Sequence, residues 1–456
     1  MSEIRNRINL GAVFRIAAPV AIAELGWIGM SIADTMMVGR ISVDAIGAVS
    51  LGSSIYLPIA IFGMGLLLGL DTLVSYAFGA GNREACQRWL ARGIQLSLAV
   101  SPLLCLIFFT ASDIVQFWDK EPFFKAQTLS YMRILTLSIP PLLLYGAFRR
   151  YLQGMTRVYP VMAALIIANL VNILINWILI FGNLGAPALG VSGAAWATVI
   201  SRTFMAGFLF VAILQGRENP VKQLIRQLFR FDIEEYRVIL HLGFPAALQL
   251  LLEVGVFATV TVLASWLDVT SLAAHHIVLN IASITFMVPQ GISSAAAVIV
   301  GKSLGAGDYI QARIDGWTTL AMGVFFMSCA ALVFLIFPEG ILRMFTADSD
   351  LIALGIVLLA IAALFQVFDG CQVISIGLLR GLGNTRTPML SSLVVHWGLA
   401  LPTSYILCFV LGYGVKGLWI GLCAGLIIVA VWLSLKWHVS IKQLELTFSD
   451  MHRFPE

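Results

Sequence analysis

Twelve apolar stretches, each long enough to cross a lipid bilayer, divide this chain of 456 residues from end to end. They cover 10–37, 46–72, 89–111, 127–150, 159–182, 190–214, 236–266, 272–300, 313–338, 351–379, 387–411 and 415–437. Charged or Gly/Pro-rich breaks separate them. A spanning helix needs about 20 such residues. Backbone groups in lipid must be satisfied within their own segment, so each stretch is expected to be one helix. Hydrophobic residues make up 59% of the chain and charged ones 11%, which excludes a single water-soluble core. The first stretch is too long for the core of a cleaved leader and lacks a small-residue cleavage site, so it is read as a retained first helix. The expected fold class is an all-α integral membrane protein with twelve transmembrane helices in two pseudo-symmetric six-helix bundles.

The second half repeats the first. Adding 226 to a position carries Pro19 to Pro245, Gly29 to Gly255, Gly65 to Gly291 and Gly79-Ala80-Gly81 to Gly305-Ala306-Gly307 without a gap. Later, Gly154 and Pro160 answer Gly381 and Pro388 with slight drift. Six helices per repeat give both halves the same direction across the membrane, an arrangement that places transporter sites between two bundles. The expected domains are 1–214, an N-terminal bundle; 215–235, a basic amphipathic cytoplasmic linker; and 236–456, a C-terminal bundle with a short tail. Lys and Arg cluster on the side of the N-terminus, at Arg5, Arg7, Arg83, Arg88, Arg92, Arg149, Arg150, Arg157 and through the linker. The positive-inside rule therefore predicts two cytoplasmic termini, and an even helix count agrees.

Acids inside apolar stretches carry the chemistry. A charge at bilayer mid-depth costs about 2.5–3.5 kcal/mol on insertion scales, so its presence marks an ion or substrate path. Glu253 follows Gln249 by one helical turn; Asp369 follows Gln366 by three residues, and Gln372 extends that face. Two carboxylates of one half can share a proton or hold Na⁺. Asp34 lies near the outer end of the first stretch. Asn169, Asn172 and Asn176 line one face of the fifth, with Asp34 as their natural partner; helix–helix hydrogen bonding without ion binding is the alternative. Glu24 is either a further negative charge or a protonated donor. Asp71 and Arg202 are read as structural, Arg202 reaching the cytoplasmic interface. Prolines within the spans bend them, either for packing or as movable elements.

Other chemistries leave no signature. No phosphate-binding glycine loop, HExxH or Cys/His cluster occurs, and no nucleophile–base pattern points to an enzyme. Adjacent His275 and His276 point about 100° apart on a helix and cannot share a metal. The six cysteines read as small buried hydrophobes.

Several segments carry a family resemblance. They are Asp34-Thr35-Met36-Met37-Val38-Gly39, Asp71-Thr72-Leu73-Val74, Phe78-Gly79-Ala80-Gly81, Gly243-Phe244-Pro245 running to Glu253, Gly301-Lys302-Ser303-Leu304-Gly305, Gln366-Val367-Phe368-Asp369-Gly370 and Leu379-Arg380-Gly381 running to Pro388. Together they resemble the multidrug and toxic compound extrusion (MATE) family, in its NorM-like branch. The resemblance implies ion coupling at Glu253, Asp369 and Asp34, with Na⁺ possible at Glu253 and Asp369. It implies support from Asn172, Asn176 and Thr198 in the first half; Gln249, Gln366 and Glu24 are supporting polar residues by their own placement in apolar runs, Glu24 standing where many relatives carry Gln. The chain differs from some relatives in having Asn176 where they carry a second acid, and His276 where many have Gln. The function it implies is a secondary multidrug efflux antiporter that exports small organic cations in exchange for Na⁺ or H⁺ by alternating access. No cofactor is expected beyond the coupling ion. The expected partners are organic cations and membrane lipids, with no nucleic acid, and the chain is read as a monomer in the plasma membrane (the inner membrane of a bacterial cell). A lipid-linked oligosaccharide flippase of the same wider superfamily, or a non-transporting receptor or scaffold, is the alternative.

Overall fold

Side-chain caps mark where helices start, and they recur at the spacing of the sequence repeat. The Ala45 N–H donates to Ser42 Oγ (3.0 Å), and 226 residues on the Ser271 N–H donates to Asp268 Oδ1 (2.8 Å). The Ala85 N–H donates to Asn82 Oδ1 (2.9 Å), answered by the Gln311 N–H at Asp308 Oδ1 (2.9 Å). Each cap satisfies a donor that a helix start leaves unpaired, worth about 1 kcal/mol. At Asp268 the Ser271 hydroxyl and N–H hold the carboxyl below the ordinary range. Gly81 and Gly307, one residue before two of these caps, both hold positive φ (71° and 76°), where a side chain would be strained.

The computed structural model describes residues 10–115, 122–215 and 221–453, without the side chains of 114, 221–223 and 447–453. Its spans are α1 (Leu10–Val38), α2 (Val43–Gly79), α3 (Arg83–Ile114), α4 (Pro122–Thr136 and Ile139–Gly154), α5 (Tyr159–Phe181) and α6 (Val191–Leu214). The second half gives α7 (Ile233–Ser265), α8 (Val269–Gly305), α9 (Tyr309–Ile336), α10 (Ser349–Gly381), α11 (Arg386–Val410) and α12 (Gly414–Arg453). Among the described residues, eleven are single helices long and apolar enough to cross a membrane, and the bent pair of α4 completes twelve. The largest departure from the hydropathy reading is α12. It continues past 437 because Val439, Ile441, Leu444 and Leu446 alternate with Lys442 and Glu445, keeping a helical pattern after the mean hydropathy has fallen.

Three of the spans are not continuous α-helix: α2 turns at Leu67–Leu68, between Val43–Leu66 and Gly69–Gly79, and local chemistry interrupts α4 and α11. In α4 the segments meet at 42°. Pro140 and Pro141 lack the N–H groups that Thr136 and Leu137 carbonyls would use, so the helix stops and restarts with its prolines in the first turn, where no donor is missed. Cys105 Sγ donates to the freed Thr136 carbonyl (3.6 Å). In α11 the turns at Ser392–Ala400 and Ile406–Val410 are widened to the π pattern, in which each N–H reaches back five residues.

The chain packs as two compact units: Ile22–Ala247, the N-unit, and Met1–Ala21 with Leu248–Glu456, the C-unit. The division falls inside α1 and α7 and not at 215–235. Glycines make the close approaches that hold each borrowed helix end. Within the N-unit, a Cβ on Gly65 would sit 2.5 Å from Ala247 Cα; within the C-unit, one on Gly291 would sit 2.4 Å from Ala21 Cα. These two contacts are repeat partners. Of the expected linker, residues 216–220 lie outside the described residues; the remainder holds a short helix, Val221–Leu228. Arg92 fixes its exit, donating through Nη1 to Gln227 O (3.1 Å) and the Arg230 carbonyl and through Nε to Glu235 Oε2 (2.6 Å). Arg92 is therefore a buried anchor and not a loop charge.

Candidate functional site

In the N-unit, α1, α5 and α6 bring the first set of expected residues together. Asn176 Nδ2 donates to Asp34 Oδ1 (2.5 Å) and to Asn172 Oδ1 (3.1 Å); Thr198 Oγ1 lies 3.4 Å from Asp34 Oδ2. Asn172 and Asn176 are fully buried, and Asp34 is half-buried. One turn separates the two asparagines on α5, which lets the Asn176 amide bridge the Asp34 carboxylate and the Asn172 oxygen. Asn169 does not join them. Its Nδ2 donates to Gly26 O (2.9 Å), tying α5 to the α1 backbone about two turns before Asp34.

The same unit buries two ion pairs that charge counting alone assigns to loops. Arg149 donates to Glu24, and Arg150 Nη1 lies 3.1 Å from Asp71 Oδ2. Both arginines sit inside α4 with their neighbours Tyr145 and Gln153 fully enclosed. Glu24 is thus neither a free negative charge nor a lone protonated donor; it is the counter-ion of Arg149. The signal available in the sequence was the pair Arg149-Arg150 within an apolar run, which needs two buried acids. Arg202 also departs from its expected place at the interface. Its Nη1 donates to Tyr56 Oη and to Ser138 Oγ (2.6 Å), and Ser138 stands at the break of α4.

In the C-unit, α7, α10 and α11 assemble the second set. Gln372 Nε2 donates to Glu253 Oε1 (2.8 Å), and Ser392 Oγ lies 3.5 Å from the same oxygen. Gln249, buried one turn before Glu253, also bonds its carboxylate. Asp369 is only 7% exposed, feels the charge of Glu253, and makes no hydrogen bond among the described residues. Gln366 turns away from Asp369 and donates to Thr285 Oγ1 on α8 (2.5 Å). Ser392 was not singled out in the sequence; it lies on the widened turn of α11, which hydropathy does not register. Its neighbour Trp397 donates through Nε1 to Leu252 O (3.0 Å), fixing α11 beside the Glu253 turn.

The histidines divide as adjacent helical residues must. Trp419 Nε1 donates to His275 Nδ1 (3.1 Å), so His275 Nε2 carries the proton and faces Thr261 Oγ1 (2.9 Å). His275 is enclosed, and His276 is exposed. Of the six cysteines, Cys86, Cys408 and Cys423 are buried as expected, whereas Cys329 is exposed on the apolar surface of α9.

A family model described as MatE matches residues 19–178 and, a second time, 245–406. The chain belongs to the MatE family. Both matches fall on the MatE repeat, beginning at the Pro19 and Pro245 pair. Among curated relatives, a probable multidrug resistance protein NorM of Mesorhizobium japonicum is 34% identical over 439 residues, covering 94% of each chain. The multidrug resistance protein MdtK of Yersinia pseudotuberculosis is 32% identical over 434 residues, covering 94% of this chain and 95% of its own. Among solved structures, the outward-facing conformation of a multidrug resistance MATE family transporter of the MOP superfamily aligns with a TM-score of 0.88 at 19% identity, over 96% of this chain and 97% of that one. A eukaryotic MATE transporter, AtDTX14, aligns at 0.83 and 19% identity, over 96% and 98%. The MatE chain described here is therefore an all-α, multi-pass membrane protein with the twelve-helix fold of these transporters.

Proposed function

We propose that this chain is a secondary multidrug efflux antiporter that exports small organic cations against an inward flow of H⁺ or Na⁺. The observation that carries the reading is the Glu253–Asp369 pair. Two carboxylates close together in a low-dielectric interior cannot both hold charge without a proton or a cation between them. Asp369 has no protein donor to balance it among the described residues, so the balancing charge has to come from outside. A coupling ion and a cationic substrate then compete for the same acids, directly or through conformation. Asp34, with its amide and hydroxyl donors, is the second exchange site in this reading.

Each positive charge moving inward gains about 2.3 kcal/mol per 100 mV and each cation leaving opposes it by the same amount, so the drive is the concentration gradient of the coupling ion plus the potential acting on any excess of inward charge. Both termini lie in the cytoplasm and the chain sits in the plasma membrane in this reading, with the basic 215–235 connection on the inner side.

The test is dye efflux from liposomes holding purified protein, driven by a Na⁺ gradient and a pH gradient in separate runs. Glu253→Gln and Asp369→Asn each abolish the gradient-driven component at unchanged insertion. Near-native efflux by both variants sinks the reading, as does native efflux indifferent to either gradient.

A further inference from the structure

The linker between the halves is held against α3 by its own carbonyls. Arg92, buried in α3, donates to the carbonyls of Gln227 and Arg230. Gln95, nearly one turn further along, donates through Nε2 to Leu228 O (2.8 Å) and Arg230 O (3.1 Å). Tyr236 Oη, in the first turn of α7, donates to Gln95 Oε1 (2.6 Å). The repeat places Thr318 and Ala321 of α9 where Arg92 and Gln95 stand in α3, so this clamp belongs to the linker alone.

What the clamp presents outward is apolar. Phe229 is 81% exposed, Phe231 78% and Ile233 69%, and Ile225 stands half-exposed on the short helix before them. Neighbouring side chains of this size left uncovered mark a contact surface. Arginines interleave them. Arg226 and Arg230 are exposed, and among the described residues no carboxylate oxygen lies within 4.0 Å of the nitrogens of either. The acids of the stretch are engaged elsewhere. Asp232 Oδ1 accepts from the Glu234 N–H (3.0 Å), Glu234 from Arg237 (2.7 Å) and Glu235 from Arg92 (2.6 Å).

The depth of this patch follows from α3. Near its far end α3 carries the exposed ion pair of Asp113 with Arg133 (3.7 Å), which has to lie in water or among headgroups. From Asp113 back to Gln95 the helix rises about 27 Å, close to the ~30 Å of a hydrocarbon core. The level of Gln95 is therefore the opposite boundary of the core, where acyl chains give way to phosphates. The clamp holds Phe229 and Phe231 at that level.

We propose that residues 225–231 are a docking surface for anionic phospholipid, with Phe229 and Phe231 at the top of the acyl chains and Arg226 and Arg230 on the lipid phosphates. Aromatic and basic residues side by side suit this zone, and each arginine beside an anionic surface favours the docked state by about fivefold. The linker is then fixed to the leaflet as well as to α3. Docking of this kind follows from the membrane fold and is independent of the coupling ion.

The experiment places a bimane label at Ile233→Cys in full-length protein freed of its own six cysteines. The protein sits in nanodiscs of equal phosphatidylcholine and phosphatidylglycerol, with bromine near the carbonyl end of the acyl chains of one lipid or the other. Composition is the same in both, so chance contact quenches equally. Brominated phosphatidylglycerol is expected to quench at least about twofold more than brominated phosphatidylcholine. Arg226→Gln with Arg230→Gln brings the two to equality, whereas Arg226→Lys with Arg230→Lys keeps the difference. Phe229→Ser with Phe231→Ser lowers quenching by both lipids. No quenching by either lipid means that the patch meets water or protein, and overturns the proposal. Equal quenching by both means an apolar contact without headgroup recognition, and overturns it too. So does a preference that survives the glutamine pair. Should that pair melt early, Arg230→Gln alone decides by the same criterion, with the preference reduced. No gradient is applied, so the outcome is independent of the Glu253 and Asp369 efflux test.

Discussion

Single residues in this protein are read best through what each polar atom touches. Asp34 takes its donors from two helices, so Asp34→Asn replaces an acceptor with a group that clashes with Asn176 Nδ2 unless it flips. We expect gradient-driven efflux to fall at least about tenfold with little change in expression, measured on the same liposomes across pH. An unaltered rate and pH profile removes Asp34 from the mechanism. The Glu24–Arg149 pair makes a separate prediction. Both partners are largely enclosed, at 13% and 4% exposure. Glu24→Met strands a buried guanidinium and is expected to cost about 3–5 kcal/mol of stability; adding Arg149→Met should recover most of it. Thermal unfolding of the two singles and the double in one detergent closes the cycle. The sequence exposed the acids because any charge in an apolar run stands out. It hid their partners, since Arg149 and Arg150 lie near the end of a run and charge counting assigns them to the loop. It also hid direction: Gln366 and Asp369 share a face by spacing, yet Gln366 reaches α8 and leaves Asp369 alone.

At the scale of elements, the twelve spans were legible because hydropathy and helix length measure the same physical requirement. The breaks were only half legible. Pro140-Pro141 announces the bend of α4, whereas no residue announces the widened turns of α11, which depend on what packs beside them. Helix contacts at glycine give a clean comparison. Gly65→Ala and Gly291→Ala each place a methyl group against the backbone of Ala247 and Ala21. Backbone cannot swing aside, so each is expected to lower stability by about 1–3 kcal/mol, and by similar amounts because the sites are repeat partners. Gly207, in α6, has nothing within 4 Å of an added Cβ; Gly207→Ala should be neutral or stabilise by up to about 1 kcal/mol. Unfolding midpoints of the three variants test this. A destabilising Gly207→Ala, or a harmless Gly291→Ala, contradicts the packing described.

At the scale of the whole molecule, the offset of 226 was visible in the sequence as paired Pro and Gly positions, and the same offset recurs in the caps at Ser42 and Asp268 and at Asn82 and Asp308. What the sequence did not reveal is where the units divide. Charge and composition change at 215–235, but packing changes at Ala21 and Ala247, in the middle of uninterrupted apolar helices. Opening the chain within 215–235 therefore yields two fragments that each carry a helix end belonging to the other's unit. Expressed separately, neither fragment should accumulate; expressed together, a tag on one should recover both, as a pull-down from membranes will read. For topology, Ser349→Cys on a cysteine-free background should react with an impermeant maleimide in intact cells, and Arg226→Cys only after permeabilisation.

The exchanged helix ends also bear on descent. A chain of half this length, holding a single copy of the repeat, would leave the opening turns of its first helix without a seat and a vacant seat in its own bundle. Two such chains would each fill the other's gap. Joining two copies of the repeat in one chain would hold each end in its seat, and the glycines facing Ala21 and Ala247 are where those seats close.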